Sequence, residues 1–216
     1  RPYDEPPLES SQMAIGNPAG AAYSLEKALS TQPDLLPAQA MMTEAELRTG
    51  EIDKAEKRAK DLVARLPQRA LGYGLQGDIA MARGRTADGI AAYRRAHQVE
   101  PSTFSLLRLF GALSTQDQGR PAVQLAEQWL KAHPQDVPVH KALGDAFARA
   151  GQFPAARTSY EAAEKLRPDD AEILNNLANV HLRMKDNAAA VRVAERALAA
   201  APRNPLVIDT LGWSLY

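Results

Sequence analysis

A proline recurs along this chain at an almost fixed interval. Successive members of the series lie 34 residues apart, except for one step of 33 residues between the third and the fourth. A second series, of mostly small residues, keeps the same step. A fixed period in this range is typical of stacked helix-turn-helix units rather than of one globular core. The prolines are Pro33, Pro67, Pro101, Pro134, Pro168 and Pro202, and the second series is Thr43, Gly77, Gly111, Gly144, Ala178 and Gly212.

Residues 137–170 show how one unit is built. Asp136 is placed to cap a first helix that carries Pro138 in its first turn, and Gly151 is placed to end that helix. A second helix then begins near Pro154. The pattern W-x2-L-G-x2-Y, then A-x3-F, then P is the signature of the tetratricopeptide repeat, and this unit resembles it at every spacing. The matching residues are His140, Leu143, Gly144, Phe147, Ala156, Tyr160, Ala163 and Pro168.

The period predicts an all-α fold, a right-handed α-solenoid of tetratricopeptide helix-turn-helix repeats. Residues 1–17 are proline-rich and are expected to form an extended lead-in. The repeat that starts at Phe104 is one residue short, and the missing residue is expected in the turn near Gly119. The array is expected to span 18–204, as a partial repeat 18–35 and repeats 36–69, 70–103, 104–136, 137–170 and 171–204, with the first helix of a further repeat at 205–216, which suggests a longer parent array.

The small residues are expected where two antiparallel helices approach most closely. On the first helices, a side chain at Gly77, Gly111, Gly144 or Gly212 is expected to push the pair apart. On the second helices, Ala55, Ala122, Ala156 and Ala190 are expected to serve the same purpose.

The composition excludes several classes of function. Lys plus Arg and Asp plus Glu are both 26, so the net charge is zero and lacks the basic excess of a nucleic-acid-binding protein. No cysteine is present, which excludes disulfides and thiolate metal sites. No apolar run reaches the roughly 18 residues of a membrane span. We therefore expect a protein or peptide partner, no nucleic acid and no membrane contact by these residues, and the oligomeric state is left open.

The sequence has no constellation for catalysis. It lacks a phosphate-binding loop, a nucleophile elbow and an HExxH motif. His140 and His181 fall where the repeat pattern expects inward-facing side chains, so they are interpreted as packing residues rather than metal ligands. His97 and His133 lie near the ends of second helices, where a cation suits the helix dipole and solvent. We expect no enzyme activity, no cofactor and no metal site.

The surface lined by the first helices is the remaining candidate site. In each repeat, the residues three before and one after the small residue are expected to point towards this surface. Their polar members and polar neighbours make a groove of mixed charge, in which asparagine amides could bond an extended peptide backbone. The alternative is a surface that is merely solvated. The candidate residues are Asp78, Arg108, Lys141, Asp145, Arg149, Asn175, Asn176, Asn179, Arg183, Asp209 and Trp213.

Four segments carry a narrower resemblance, and they occur in a matching order along the chain. They look like the large PEP-CTERM system tetratricopeptide lipoprotein of exopolysaccharide-producing bacteria. The resemblance implies a lipid-anchored protein on the periplasmic face of the bacterial envelope, associated with polysaccharide export and protein sorting. The segments are ALGYGLQGDIAMARGR (70–85), GRPAVQLAEQWLKAHPQD (119–136), LNNLANVHL (174–182) and DTLGWSLY (209–216).

These observations predict a scaffold that binds partner proteins or peptides, in a bacterial envelope context that rests on the resemblance. One alternative is the substrate-recognition arm of a larger enzyme, such as a glycosyltransferase. Another is a cytoplasmic assembly adaptor. The sequence does not name the partner, the length of the intact array, or any signal, lipidation segment or catalytic domain outside these residues.

Overall fold

The computed structural model describes residues 18–115 and 119–216. Within these residues the chain is all helical and contains no strand, as the period predicts. The lead-in expected at 1–17 and the turn residues 116–118 lie outside the described residues. The helices are α1 (Pro18–Thr31), α2 (Leu36–Arg48), α3 (Ile52–Arg65), α4 (Ala70–Ala82), α5 (Thr86–Val99), α6 (Thr103–Ser114), α7 (Gly119–Ala132), α8 (Val137–Arg149), α9 (Phe153–Leu166), α10 (Ala171–Arg183), α11 (Asn187–Ala200) and α12 (Pro205–Leu215).

Local signals fix where these helices begin and end. The Asp136 carboxylate accepts a hydrogen bond of 3.3 Å from the Val139 amide, which is the cap that the sequence predicts for α8. The turn after α8 needs a positive φ, and Gly151 supplies it with a φ of 70°. In the repeat that follows, Lys185 holds the equivalent position with a φ of 61°.

The chain divides into two compact units, residues 1–112 and residues 113–216. From α1 to α5 in one unit and from α7 to α12 in the other, each helix packs on the next helix along the chain. First helices also contact one another, α2 with α4 in one unit, and α8 with α10 and α10 with α12 in the other. First helices therefore share one surface in each unit, which we call the first-helix face. No described helix is both long enough and apolar enough to cross a membrane.

The predicted close approach of small residues is correct at Gly77 and Gly144. At Gly111 and Gly212 it stays a prediction, because α7 belongs to the other unit and no described helix follows α12. A Cβ added at Gly144 would lie 2.6 Å from Cε1 of Tyr160, and one added at Gly77 would meet the Tyr93 ring even more closely. No described atom lies within 4 Å of a Cβ added at Gly111 or Gly212. At Gly77 and Gly144 a glycine is needed because a tyrosine of the following helix lies directly over it. The alanines predicted on the second helices, Ala55, Ala122, Ala156 and Ala190, are fully buried.

Candidate functional site

A carboxylate held by a tyrosine is the central feature of the first-helix face in the unit 1–112. The Tyr93 hydroxyl donates a hydrogen bond of 2.7 Å to Asp78 Oδ1. From the next repeat, Arg108 places Nη1 2.6 Å from Asp78 Oδ2 and its guanidinium 4.7 Å from the centroid of the Phe104 ring. The predicted site residues Asp78 and Arg108 are thus brought together, but each neutralises the charge of the other.

The same arrangement returns 67 residues later, in the unit 113–216. The Tyr160 hydroxyl donates a hydrogen bond of 2.5 Å to Asp145 Oδ1, and Asn176 Nδ2 donates to the same oxygen at 3.2 Å. Lys141 Nζ lies 3.0 Å from Asp145 Oδ2 and 2.9 Å from Glu172 Oε1. Three predicted site residues, Lys141, Asp145 and Asn176, therefore form one network. In that network the Asn176 amide and the Lys141 ammonium bind Asp145 and are not directed at an incoming peptide.

The pKa values of Tyr93, Tyr160 and Lys141 favour the hydrogen bonds of both networks near neutral pH. Burial, followed by the hydrogen bond to a carboxylate, raises the pKa of Tyr93 and of Tyr160, so both hydroxyls remain donors. Burial alone would lower the pKa of Lys141, but its hydrogen bonds to Glu172 and Asp145 raise that pKa overall. The two hydroxyls and the Lys141 ammonium therefore keep the protons that they donate in these networks.

A cavity of about 490 Å³ opens beside the Asp145 network. Its polar side chains come from α8 and α10, and they include Arg149, Arg183 and Asn179. Apolar groups complete the wall, and among them the Phe153 ring has the Arg183 guanidinium 5.3 Å from its centroid. This volume falls within the range of small ligand pockets and suits a side chain with part of its backbone. The structure thus gathers five of the predicted site residues, Asp145, Arg149, Asn176, Asn179 and Arg183, around one cavity.

The other predicted residues of this unit lie away from that cavity. Asn175 has a buried Oδ1 for which the described residues provide no hydrogen-bond partner, and its backbone carbonyl accepts a hydrogen bond of 3.0 Å from Asn179. Asp209 is exposed, and Trp213 is 66% exposed on α12. Neither of these two lines the cavity. The structure therefore does not bring Asp209 and Trp213 together with the remaining site residues.

The unit 1–112 has a second cavity that the sequence analysis does not predict. Its volume is about 330 Å³, and its walls are largely apolar, with Leu36, Leu71 and the 65%-exposed Phe104 among them. Arg108 also lines it, while its charge is taken up by Asp78. The two units therefore offer cavities of different character on the same kind of surface.

The two network tyrosines are also missing from the sequence-predicted site. Tyr93 and Tyr160 appear in the repeat signature only as large packing residues, and they do pack, with exposed fractions of 7% and 2%. A signal for their second role is present in the sequence. In both repeats a Gly-Asp pair is followed by tyrosine fifteen residues after the aspartate.

The histidines do not form a site. His140 Nε2 lies 2.9 Å from the Pro134 carbonyl oxygen, and His181 is buried, as expected of packing residues. His97 differs from the surface cation that the sequence suggests, because it is partly buried and its Nδ1 lies 2.9 Å from Ser105 Oγ. Burial lowers the pKa of His97 and favours its neutral form. No group of three or more potential metal ligands occurs in the described part of the chain.

Family models recognise the repeats that the structure displays. Two models, both described as tetratricopeptide repeat, match residues 12–79 and 141–205 and together cover more than half of the chain. The chain belongs to the tetratricopeptide repeat family. Tetratricopeptide repeats act as protein-interaction scaffolds that present extended surfaces to partners. The two models describe the repeat in general and do not separate the narrower lipoprotein family from other members.

Relatives of this tetratricopeptide protein share only part of their length with it. Cellulose synthase operon protein C of Komagataeibacter xylinus is 31% identical over an alignment of 96 residues, which covers 37% of this chain and 7% of that protein. Tetratricopeptide repeat protein 21B of Xenopus laevis is 27% identical over 117 residues, which are 54% of this chain and 9% of that protein. The chain thus spans less than a tenth of the length of either relative.

Among solved structures, the type IV pilus biogenesis factor PilW is similar over nearly the whole chain. The TM-score is 0.70 at 21% sequence identity, with 94% of this chain and 95% of that chain covered. At this level of identity the likeness shows the tetratricopeptide fold and nothing about the ligand.

Proposed function

We propose that this chain is a protein-interaction scaffold that binds an extended segment of a partner protein on the first-helix face of residues 113–216. The cavity of about 490 Å³ beside the Asp145 network is the observation that carries the proposal. An open cavity with both polar and apolar walls accepts a peptide, which presents backbone amides and side chains together. Neither a catalytic motif nor a metal-ligand group competes for this role in the described residues.

Preorganisation of the cavity wall supports peptide binding. Tyr160, Asn176 and Lys141 fix the Asp145 carboxylate from three directions. A peptide that meets groups already held in place does not bear the cost of ordering them. Asn179 is exposed beside this fixed wall, and its amide can donate to and accept from a peptide backbone.

Two observations support a place for this scaffold in bacterial exopolysaccharide machinery. Four segments resemble the PEP-CTERM lipoprotein, and a partial relative takes its name from a cellulose synthase operon. We extend the proposal accordingly to the periplasmic face of the envelope. Fractionation of native cells is expected to recover the protein with the envelope, and recovery in the cytoplasm would contradict this part of the proposal.

Site-specific photo-crosslinking tests the binding face. A photoreactive phenylalanine analogue at Asn179 is expected to crosslink a partner from an envelope extract. The same analogue at Arg192, an exposed residue of α11 that does not line the cavity, serves as the control. Crosslinks that arise equally from both positions, or only from Arg192, would contradict the assignment of the binding face.

A triple substitution provides an independent reading of the same face. Lys141→Ala, Asn175→Ala and Asn179→Ala together are expected to abolish partner capture, while the helical circular dichroism stays intact. Of the side chains removed, Asn179 lines the cavity, and Lys141 helps to hold Asp145. Tyr160 and Asn176 continue to bind that carboxylate. Undiminished capture by the triple variant would move the binding site elsewhere on the molecule.

A further inference from the structure

Two arginines of the polar cavity have no acidic partner. Arg149 and Arg183 both line the cavity and are exposed. Among the described residues, neither guanidinium lies within ion-pair distance of a carboxylate, whereas many other arginines of the chain do. Other exposed arginines, such as Arg192, also lack a carboxylate partner within 18–115 and 119–216, but Arg149 and Arg183 differ from Arg192 because both line one cavity.

A comparison with the same position of another repeat shows how this pair differs from Arg48. Arg48, Arg149 and Arg183 occupy the same position at the end of a first helix in three different repeats. Arg48 is neutralised by Glu44, four residues earlier, at 2.7 Å. Arg183 has an amide, Asn179, at that earlier position, so the usual pairing within the helix is missing.

Arg149 does have an aspartate four residues earlier, but that carboxylate is already occupied. Asp145 Oδ1 accepts hydrogen bonds from Tyr160 and Asn176, and Oδ2 lies 3.0 Å from Lys141 Nζ. The network therefore diverts Asp145 away from Arg149. Both arginines therefore line the cavity without a carboxylate partner from the described part of the protein, and their charges are available to a ligand.

The charge balance of the cavity selects the kind of anion. Among its lining residues, Arg149 and Arg183 are positive and Asp145 is negative, which leaves one net positive charge. A carboxylate, with a single charge, matches this balance, whereas a phosphate group carries about −1.5 to −2 and would be repelled more strongly by Asp145. Phe153 and Val180 add apolar wall that suits the methylene groups of an acidic side chain.

We propose that Arg149 and Arg183 together bind the carboxylate of an aspartate or glutamate side chain within the partner segment. The guanidinium groups supply paired donors that fit a carboxylate. This inference rests on the proposed function, because it specifies which residue the bound segment must carry. The free C-terminus of a peptide carries the same chemical group, and the test therefore uses peptides whose C-terminal ends are blocked by fusion.

The test uses a phage-displayed library of random 12-residue peptides that are fused at their C-terminal ends, with the full chain immobilised. Selection on the wild-type chain is expected to enrich aspartate or glutamate at one position of the peptides. Selection on the double variant Arg149→Glu and Arg183→Glu is expected to lose this preference and to enrich lysine or arginine there instead. The control is Arg192→Glu, which reverses an exposed arginine outside the cavity and is expected to keep the acidic preference.

An affinity measurement completes the test. The best selected peptide, acetylated and amidated at its ends, is compared by fluorescence anisotropy with a copy in which the acidic residue is changed to its amide. The change is expected to raise the Kd about tenfold, since a charge-assisted hydrogen bond is lost. Arg149→Gln or Arg183→Gln is expected to weaken binding of the acidic peptide by a larger factor than binding of its amide copy. Circular dichroism of each variant confirms that the helices are retained.

The outcomes separate this inference from the proposed function. Peptides selected without an acidic position, or with one that charge reversal does not disturb, would overturn the arginine assignment and leave peptide binding in place. Displacement of the peptide by inorganic phosphate at concentrations where acetate has no effect would also overturn it, in favour of a phosphorylated partner. Failure to select any peptide would contradict both proposals.

Discussion

The two units of this chain contain the same tyrosine–aspartate hydrogen bond, but the groups around the carboxylate differ. In residues 1–112, Asp78 is held by Tyr93 and neutralised by Arg108. In residues 113–216, the equivalent carboxylate is held by Tyr160 and balanced by a lysine and an asparagine. The residue in register with Arg108 is Asn175, a neutral amide. In the repeat that carries Asp78, the residue in register with Arg149 is Ala82, so that repeat has no arginine at this place.

The comparison shows that a repeat conserves its packing while its surface chemistry varies. The glycine, aspartate and tyrosine recur because they settle how a first helix lies on a second helix. The groups that complete the network come from a neighbouring turn or from the next repeat, and they differ between units. The cavity of residues 1–112 is therefore largely apolar, and its Arg108 is paired with Asp78. The cavity of residues 113–216 is polar, and its two arginines have no carboxylate partner among the residues that the structure describes.

Disrupting the packing that both units share is expected to have the largest effect on stability. Gly144→Leu is expected to destabilise the unit 113–216 by about 1–3 kcal/mol, because the new side chain overlaps the Tyr160 ring. The ring is 2% exposed and its hydroxyl is bound to Asp145, so it has little room to move. Gly77→Leu is expected to have a similar effect through Tyr93. Urea unfolding followed by circular dichroism measures both.

Gly212→Leu is the matched control for these substitutions. No described atom lies within 4 Å of a Cβ at this position, and glycine is a poor helix former. The control is therefore expected to be neutral or slightly stabilising. An unchanged urea midpoint for Gly144→Leu, or an equal loss for Gly212→Leu, would show that the tyrosine does not define the packing.

Alkaline pH tests whether both tyrosines are protected in the same way. Burial and the hydrogen bond to a carboxylate raise the pKa of Tyr93 and Tyr160 in the folded state, whereas an unfolded tyrosine titrates near 10. The stability that the protonated hydroxyls contribute is present below pH 10 and is lost as pH rises above it. Each tyrosine is expected to cost about 1.4 kcal/mol of stability at pH 11.

Variants assign this loss to the individual residues. Tyr93→Phe and Tyr160→Phe should each remove its own share of the decrease between pH 9 and pH 11, measured by urea unfolding. Tyr216→Phe is the control, because Tyr216 is fully exposed and belongs to neither network. If one of the first two variants kept the whole decrease, the two networks would not be equivalent.

Much of the fold could be predicted from the sequence, because a period reports packing directly. The 34-residue spacing indicates helix pairs, Asp136 marks the cap of α8, and Gly144 marks a close approach. The repeat boundaries as drawn from the period stay a prediction. For Gly111 and Gly212 the close approach stays a prediction, since a recurring glycine does not by itself show that a ring lies over it.

The candidate site could be predicted less completely than the fold, and the reason is physical. The repeat pattern says which positions share a face, and it placed Lys141, Asp145 and Asn176 together. It does not say which of their hydrogen bonds are made inside the protein. Only the geometry shows that Asp145 is taken by Tyr160, Asn176 and Lys141, so that Arg149 is left free. That the site residues bind a partner stays a prediction.

The smallest expected effect concerns the turn within a repeat, where the units again differ. Gly50, Gly84 and Gly151 take a positive φ at the same register position, and Lys185 takes it without being a glycine. A side chain in this left-handed conformation costs about 1 kcal/mol. Lys185→Gly is therefore expected to stabilise the unit 113–216 by about 0.5–1 kcal/mol, measured as a higher urea midpoint. The reverse exchange, Gly151→Lys, should lower the midpoint by a similar amount. A fall in stability for Lys185→Gly would mean that the lysine side chain makes a contact in this turn that outweighs the backbone strain.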